Sequence, residues 1–115
     1  MTPPVIVVLC TAPAAGKGAR LGADELARTV VAEGLCACVS VVPGVRSFFR
    51  WEGCVDVAEE RLLIAKTTAA GAPRLRARLA ELHPYEVPEV LELAVAGGLP
   101  AYLQWLVAAV TPPAG

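Results

Sequence analysis

One histidine and four cysteines carry most of the coordinating chemistry in this 115-residue chain. His83 lies in "LHPYEVPE", residues 82–89, and Cys10 closes the apolar run Val5–Cys10. Thiolate and imidazole suit copper(I), copper(II) or zinc better than calcium or magnesium. Read from the residues alone, His83 has two roles open to it. It either caps the last carbonyls of a helix, whose partial negative charge favours it, or serves as a metal ligand if a thiolate lies nearby. Cys10 is likewise either a small buried hydrophobe or that thiolate. Cys36 and Cys38 share one strand face by the period of two, a geometry open to a copper pair, although the apolar run around them favours a core role. There is no CxxC, and a single histidine leaves a closed structural zinc site short of ligands.

A second place where chemistry could sit is the glycine-rich loop with Gly16-Lys17-Gly18 that follows the first strand. A phosphate-binding loop needs Gly-x-x-x-x-Gly-Lys-Ser/Thr. Aligned on Gly16-Lys17, Thr11 stands at the first glycine and Gly18 at the magnesium-binding hydroxyl. The dinucleotide fingerprint misses as well, because Gly16, Gly18 and Gly22 are spaced one residue too long. The loop reads as a flexible exposed connection.

The elements that must position these groups follow from pattern. Val5–Cys10 reads as a strand buried on both faces. Asp24 is the expected N-cap of a helix that turns Leu26, Val30 and Val31 inward and stops at Gly34. Cys36–Trp51 and Cys54–Thr67 read as two long strands joined by a turn at Glu52-Gly53, the first interrupted at Pro43-Gly44. A usual strand has about 5–6 residues, so this hairpin should project beyond its own domain with Val45, Phe48, Phe49 and Trp51 in need of a partner surface. Pro73 suits the first turn of a second helix with a Leu75, Leu79 and Leu82 stripe and Arg74, Arg76 and Arg78 facing water; Pro84 ends it. Glu89–Ala96 is a further strand. Pro100 opens a last helix with Leu99, Leu103, Leu106 and Val110 on one side and Tyr102 and Trp105 beside them, and the tail from Thr111 to Gly115 reads as loose. The order βαββαβ plus a C-terminal helix gives an α+β, ferredoxin-like domain spanning residues 1–115, with helices on one face of an antiparallel sheet.

Composition bounds the function. Hydrophobic residues make up 56% and charged residues 18%, against roughly 45–50% and about 25% in typical domains. So small a monomer cannot hide that much apolar side chain, and self-association follows. A net charge of −1 offers no basic field for nucleic acid or anionic lipid. No aliphatic run approaches the ~18 residues of a membrane span. The N-terminus lacks the basic flank of a signal peptide, so the expected location is the cytoplasm, where thiols stay reduced.

At this point several stretches together carry a resemblance. "LCTAP" (9–13), "CVSVVPGVRSFFRWEG" (38–53), "LLIAKT" (62–67), "LHPYEVPE" (82–89) and "PAYLQWL" (100–106) resemble, in order and at near-family spacing, the CutA divalent-cation tolerance family. The resemblance implies a tight homotrimer built through the long hairpin strands and a role in tolerance of copper and other divalent cations. It also implies metal ligands at Cys10, the cysteine of "LCTAP", and at His83, the histidine before "PY". Leu82 stands where some members have a further histidine, which removes a ligand. The loop 14–22 is longer than usual, and Cys36 and Cys54 occupy positions where the family commonly has other residues. Two protein ligands leave a site incomplete, so water, an oxygen from Glu86 or Glu89, or a neighbouring subunit would finish it.

The alternative is a signalling module. Ferredoxin-like trimers that resemble the nitrogen-regulatory PII proteins bind small effectors between subunits, and Trp51, Lys66, Tyr85 and Glu89 are the residues expected to line such a cleft. An enzyme is disfavoured: an acylphosphatase-like mechanism wants an asparagine and the chain has none, and nothing near His83 in sequence reads as a nucleophile with its activating partner. An RNA-recognition role is disfavoured because "RLLIAKTT" carries no aromatic residue.

Overall fold

The computed structural model describes residues 3–112. Its elements are β1 (Val5–Ala12), α1 (Ala23–Ala32), β2 (Cys38–Trp51), β3 (Cys54–Thr68), α2 (Ala72–Leu82), β4 (Val90–Ala94) and α3 (Pro100–Ala109). The strands form one antiparallel sheet in the order β2-β3-β1-β4. This is the expected ferredoxin-like order with one added helix.

Alternation along β1 decides how the layers stack. Val8, Cys10 and Ala12 point into a core shared with Leu63 and Ala65 of β3, Leu26 and Val30 of α1, and Leu75 and Leu79 of α2. Val7 and Leu9 point the opposite way, and register places Ile64, Leu91 and Leu93 on that second face. Leu91 and Leu93 remain 54% and 49% exposed. The third helix departs from the expectation that all helices share one face. α3 packs through Leu106 and Val110 on Val5, which has the parity of Val7, so it covers only the start of the second face.

The hairpin is as long as its sequence suggested. β1 pairs with β3 only over Arg61–Thr68, so residues 54–60 and their β2 partners 45–51 extend past any third strand. Trp51 and Val55 are 62% and 76% exposed there. The turn takes Glu52 and Gly53 to φ 49° and 80°, the two left-handed positions of a type I′ turn, whose twist matches the flanking strands. A register shift between Val42 and Val45 marks a bulge, built on Pro43 and on Gly44 at φ 76°.

Several local expectations are corrected. Gly22, not Asp24, is the N-cap of α1, without a side-chain cap bond; Asp24 instead pairs with Arg61 at 3.0 Å. Val31 is exposed and Ala27 takes the inward place beside Leu26 and Val30, because position 31 lies five residues and some 140° around the helix from Leu26. Cys36 precedes β2 rather than opening it, and β4 is shorter than Glu89–Ala96. Leu99 is the exposed N-cap of α3 rather than part of its buried stripe. The arginines of α2 are not simply solvated: Arg76 meets Glu92, and Arg78 bridges Glu33 and Glu81. Of the tail, Thr111 is tied down, its N–H donating to Gly34 O at 2.9 Å and its carbonyl accepting from Arg74; residues 113–115 lie outside the described residues.

Candidate functional site

The β1–β4 ladder ends at the pair Cys10–Val90, one residue before Thr11. The Thr11 carbonyl therefore runs out of strand partners, and the end of α2 supplies one. Leu82 closes that helix and His83 leaves it in an extended conformation, because Pro84 disfavours helical geometry in the residue before it. The turn swings the imidazole under the end of β1, where His83 is 0% exposed. Its Nε2 lies 2.7 Å from Thr11 O, and the Tyr85 backbone N–H donates to its Nδ1 at 3.0 Å. These two contacts specify one tautomer: Nδ1 accepts, so Nε2 carries the proton and donates to Thr11 O. Burial pushes the imidazole below its ordinary pKa of 6.5, against opposing contributions from the Thr11 hydrogen bond and Glu60. His83 is neutral at pH 7.

Cys10 meets the same carbonyl oxygen, its Sγ at 3.8 Å. Thiol and imidazole thus stand within two hydrogen-bond lengths of each other. Cys10 is fully buried, and its thiol is pushed up to about 12, first by burial and then by the charges of Glu89 and Glu60. It is a protonated thiol at neutral pH.

The third layer is acidic. Tyr85 O–H donates to Glu60 Oε2 at 2.9 Å, and its phenol is raised to about 12 by burial and by that carboxylate. The Tyr85 ring lies 4.8 Å from the His83 ring, tilted by 54°. Glu60 is itself buried. The glycine-rich loop closes the corner from outside: Arg20 donates to His83 O at 3.0 Å and Leu21 N–H to Leu82 O at 2.9 Å.

The loop is exposed but not open. Lys17 and Arg20 exchange backbone hydrogen bonds at 3.0 Å in both directions, and a Cβ on Gly16 would sit 2.2 Å from Arg20 O. The Lys17 and Arg20 backbone donors are thus already paired, and the loop folds into a small closed turn instead of a flexible connection.

The sequence-predicted residues divide into two groups. Cys10, His83 and Tyr85 come together, with Glu89 within electrostatic reach of the thiol. Trp51 sits at the hairpin tip and Lys66 at the other end of the β1–β3 ladder, its ammonium donating to Ser40 Oγ at 2.8 Å and Cys38 Sγ at 3.6 Å. Along the sheet, Trp51 at the tip and Lys66 at the far end of that ladder lie on opposite sides of the Tyr85 corner. The helix-capping role considered for His83 is not the one adopted, since its ring bonds Thr11 and Tyr85 rather than the carbonyls of α2. Nor do Cys36 and Cys38 form a strand-face pair: Cys36 is in the core, while Cys38 is half-buried beside an ammonium that repels a cation. Glu60 was missed, because Glu59-Glu60-Arg61 reads as a solvated charge run; the phenol of Tyr85, an amphipathic group that needs a partner when covered, was the available signal.

A family model described as the CutA1 divalent ion tolerance protein matches residues 6–109. The chain belongs to the CutA1 divalent ion tolerance family. A CutA divalent-cation tolerance protein of Thermus thermophilus is 44% identical over 104 residues, covering 87% of this chain and 92% of its own. The crystal structure of CutA1 from Oryza sativa superposes with a TM-score of 0.86 at 40% identity over 96% of both chains. A PII-like protein CutA from Nostoc, solved in apo form, gives 0.82 at 30% identity over 94% and 99%. Leu82, beside His83, packs on the main core. No helix among the described residues is long and apolar enough to cross a membrane.

Proposed function

We propose that this CutA1 chain is one subunit of a cytoplasmic homotrimer that binds copper in the response to excess metal, with Cys10 and His83 as the ligands. The observation that carries the reading is the convergence of both side chains on the Thr11 carbonyl oxygen. Among the described residues no group of three or more His, Cys, Asp and Glu side chains stands ready to hold a metal ion. Two side-chain donors suit the soft ion copper(I) better than zinc, which asks for four ligands and would need water or a neighbouring subunit to complete them. Cys10 would supply thiolate after losing its proton, and His83 its Nε2 once the proton there has moved to Nδ1, a change of tautomer that gives up both the Thr11 O and the Tyr85 N–H hydrogen bonds. A metal ligand must be deprotonated, so binding is linked to pH. Burial, and after it the charges of Glu89 and Glu60, hold the thiol protonated, and those same carboxylates favour a cation in place of the proton.

Assembly is supported by the open second face of the sheet, where Leu9, Ile64, Leu91 and Leu93 line up by register, and by the uncovered hairpin aromatics. Titration with copper(I) against a competing chelator tests the reading. Cys10→Ser and His83→Ala should each weaken binding, and the double variant should lose less than the sum, because both residues serve one ion. Additive losses, or none, would overturn it.

A second reading is favoured by one observation. Trp51 and Lys66 are separated from Tyr85 and Glu89 within a protomer, so these four can meet only across copies, as in an effector cleft between PII-like subunits. A thermal-shift comparison of nucleotides and metals separates the two readings.

A further inference from the structure

Away from the Cys10 corner, the base of the hairpin holds a second cluster of nucleophiles. Cys38 and Lys66 are direct cross-strand partners, so their side chains leave the sheet on the same face. Lys66 Nζ lies 3.6 Å from Cys38 Sγ and 2.8 Å from Ser40 Oγ. Cys38 is half-buried within the single chain, unlike Cys10 and Cys36, and it lies on the outermost strand β2, the side from which an oxidant as small as a hydroperoxide would approach its sulfur. The amine is already in contact with the atom that oxidation makes electrophilic.

We propose that Cys38 and Lys66 form an oxidative cross-link, a sulfur–nitrogen bond across the β2–β3 ladder. The Cys38 sulfur attacks the peroxide oxygen, the O–O bond breaks, and the products are a sulfenic acid and water. The Lys66 ammonium gives up one proton to solvent, and the neutral amine attacks the sulfur. The S–O bond breaks as the S–N bond forms, and the departing hydroxide leaves as water with the second amine proton. Sulfur loses two electrons, the peroxide is reduced to two waters, and the protein loses two hydrogens from the thiol and the amine. Cys36 is the competing nucleophile, because it precedes Cys38 by two residues and its thiol senses both the Cys38 charge and the Lys66 ammonium. It is buried in the core with its thiol pushed up to about 12, whereas the lysine is already at contact. The bridge would remove one positive charge from the second face of the sheet and pin the edge strand β2 to β3.

The test treats the intact assembled protein with dilute hydrogen peroxide, blocks remaining thiols, and maps tryptic peptides without reduction. The peptide holding Cys38 should appear joined to the peptide holding Lys66, lighter than their sum by two hydrogens, and thiol reductant should release it. Lys66→Arg keeps the charge but removes the nucleophilic amine and should abolish the joined species, while Cys36→Ser should retain it. Cys38→Ser should remove it entirely. A two-hydrogen loss confined to the single peptide that contains Cys36 and Cys38 would mean a disulfide and overturn the proposal, as would oxidation of Cys38 with no joined peptide.

Discussion

His83→Ala should be among the most damaging single substitutions in the chain. The ring is fully buried and makes hydrogen bonds through both nitrogens, at 2.7 Å to Thr11 O and 3.0 Å from the Tyr85 N–H. Alanine leaves both backbone groups without their partner, and a buried group so left costs about 1–3 kcal/mol. It also removes the ring that the Tyr85 side chain rests against. A loss of about 3–5 kcal/mol follows, allowing for partial relaxation and water entry. Urea unfolding of wild type and variant, at one fixed protein concentration because the proposed assembly would add to apparent stability, measures it. Cys10→Ser serves as the comparison, since serine keeps a donor facing Thr11 O and should cost only about 1–2 kcal/mol. A loss below about 1 kcal/mol for His83→Ala would refute the clamp and leave the ring as a dispensable filler.

Three further outcomes follow from the same geometry. Because burial lowers the His83 pKa below its ordinary 6.5, the unfolded chain binds the extra proton first; stability should be full above pH 6.5 and fall as pH drops below it, a slope that His83→Gln flattens in unfolding measured against pH. Glu60→Gln removes one of the two charges raising the Cys10 thiol, so alkylation rates resolved by residue should place that thiol below about 12 but, with burial intact, still above the ordinary 9.0. Gly53→Ala meets nothing within 4 Å, so the left-handed φ of 80° alone should cost about 1 kcal/mol in unfolding free energy; no change would mean the turn can adopt another form.

Much of this was legible in the sequence because it is periodic or punctuated. The apolar run Val5–Cys10, the Glu52-Gly53 turn between two long β-rich stretches and Pro73 opening a helix specify their elements locally. What was not legible depends on the ends of elements. Asp24 satisfies the rule for an N-cap, yet Ala23 N–H finds Pro13 O, so the helix starts earlier and Asp24 is free to meet Arg61. The role of His83 was hidden for the same reason. Nothing local reveals that the β1–β4 ladder stops one residue short of Thr11, and that vacancy is what draws the imidazole across from α2. Glu60 is a long-range case as well: its burial follows from Tyr85, 25 residues away.

In the proposed site, copper joins Cys10 to His83. X-ray absorption at the copper edge of protein loaded with one equivalent of copper(I) per protomer reads the ligands directly. One sulfur and one imidazole nitrogen at two-coordinate distances, with the sulfur lost in Cys10→Ser and the imidazole scattering lost in His83→Ala, is the predicted result. Two sulfurs, or a spectrum that neither substitution changes, would place the metal elsewhere and leave His83 as a structural clamp alone.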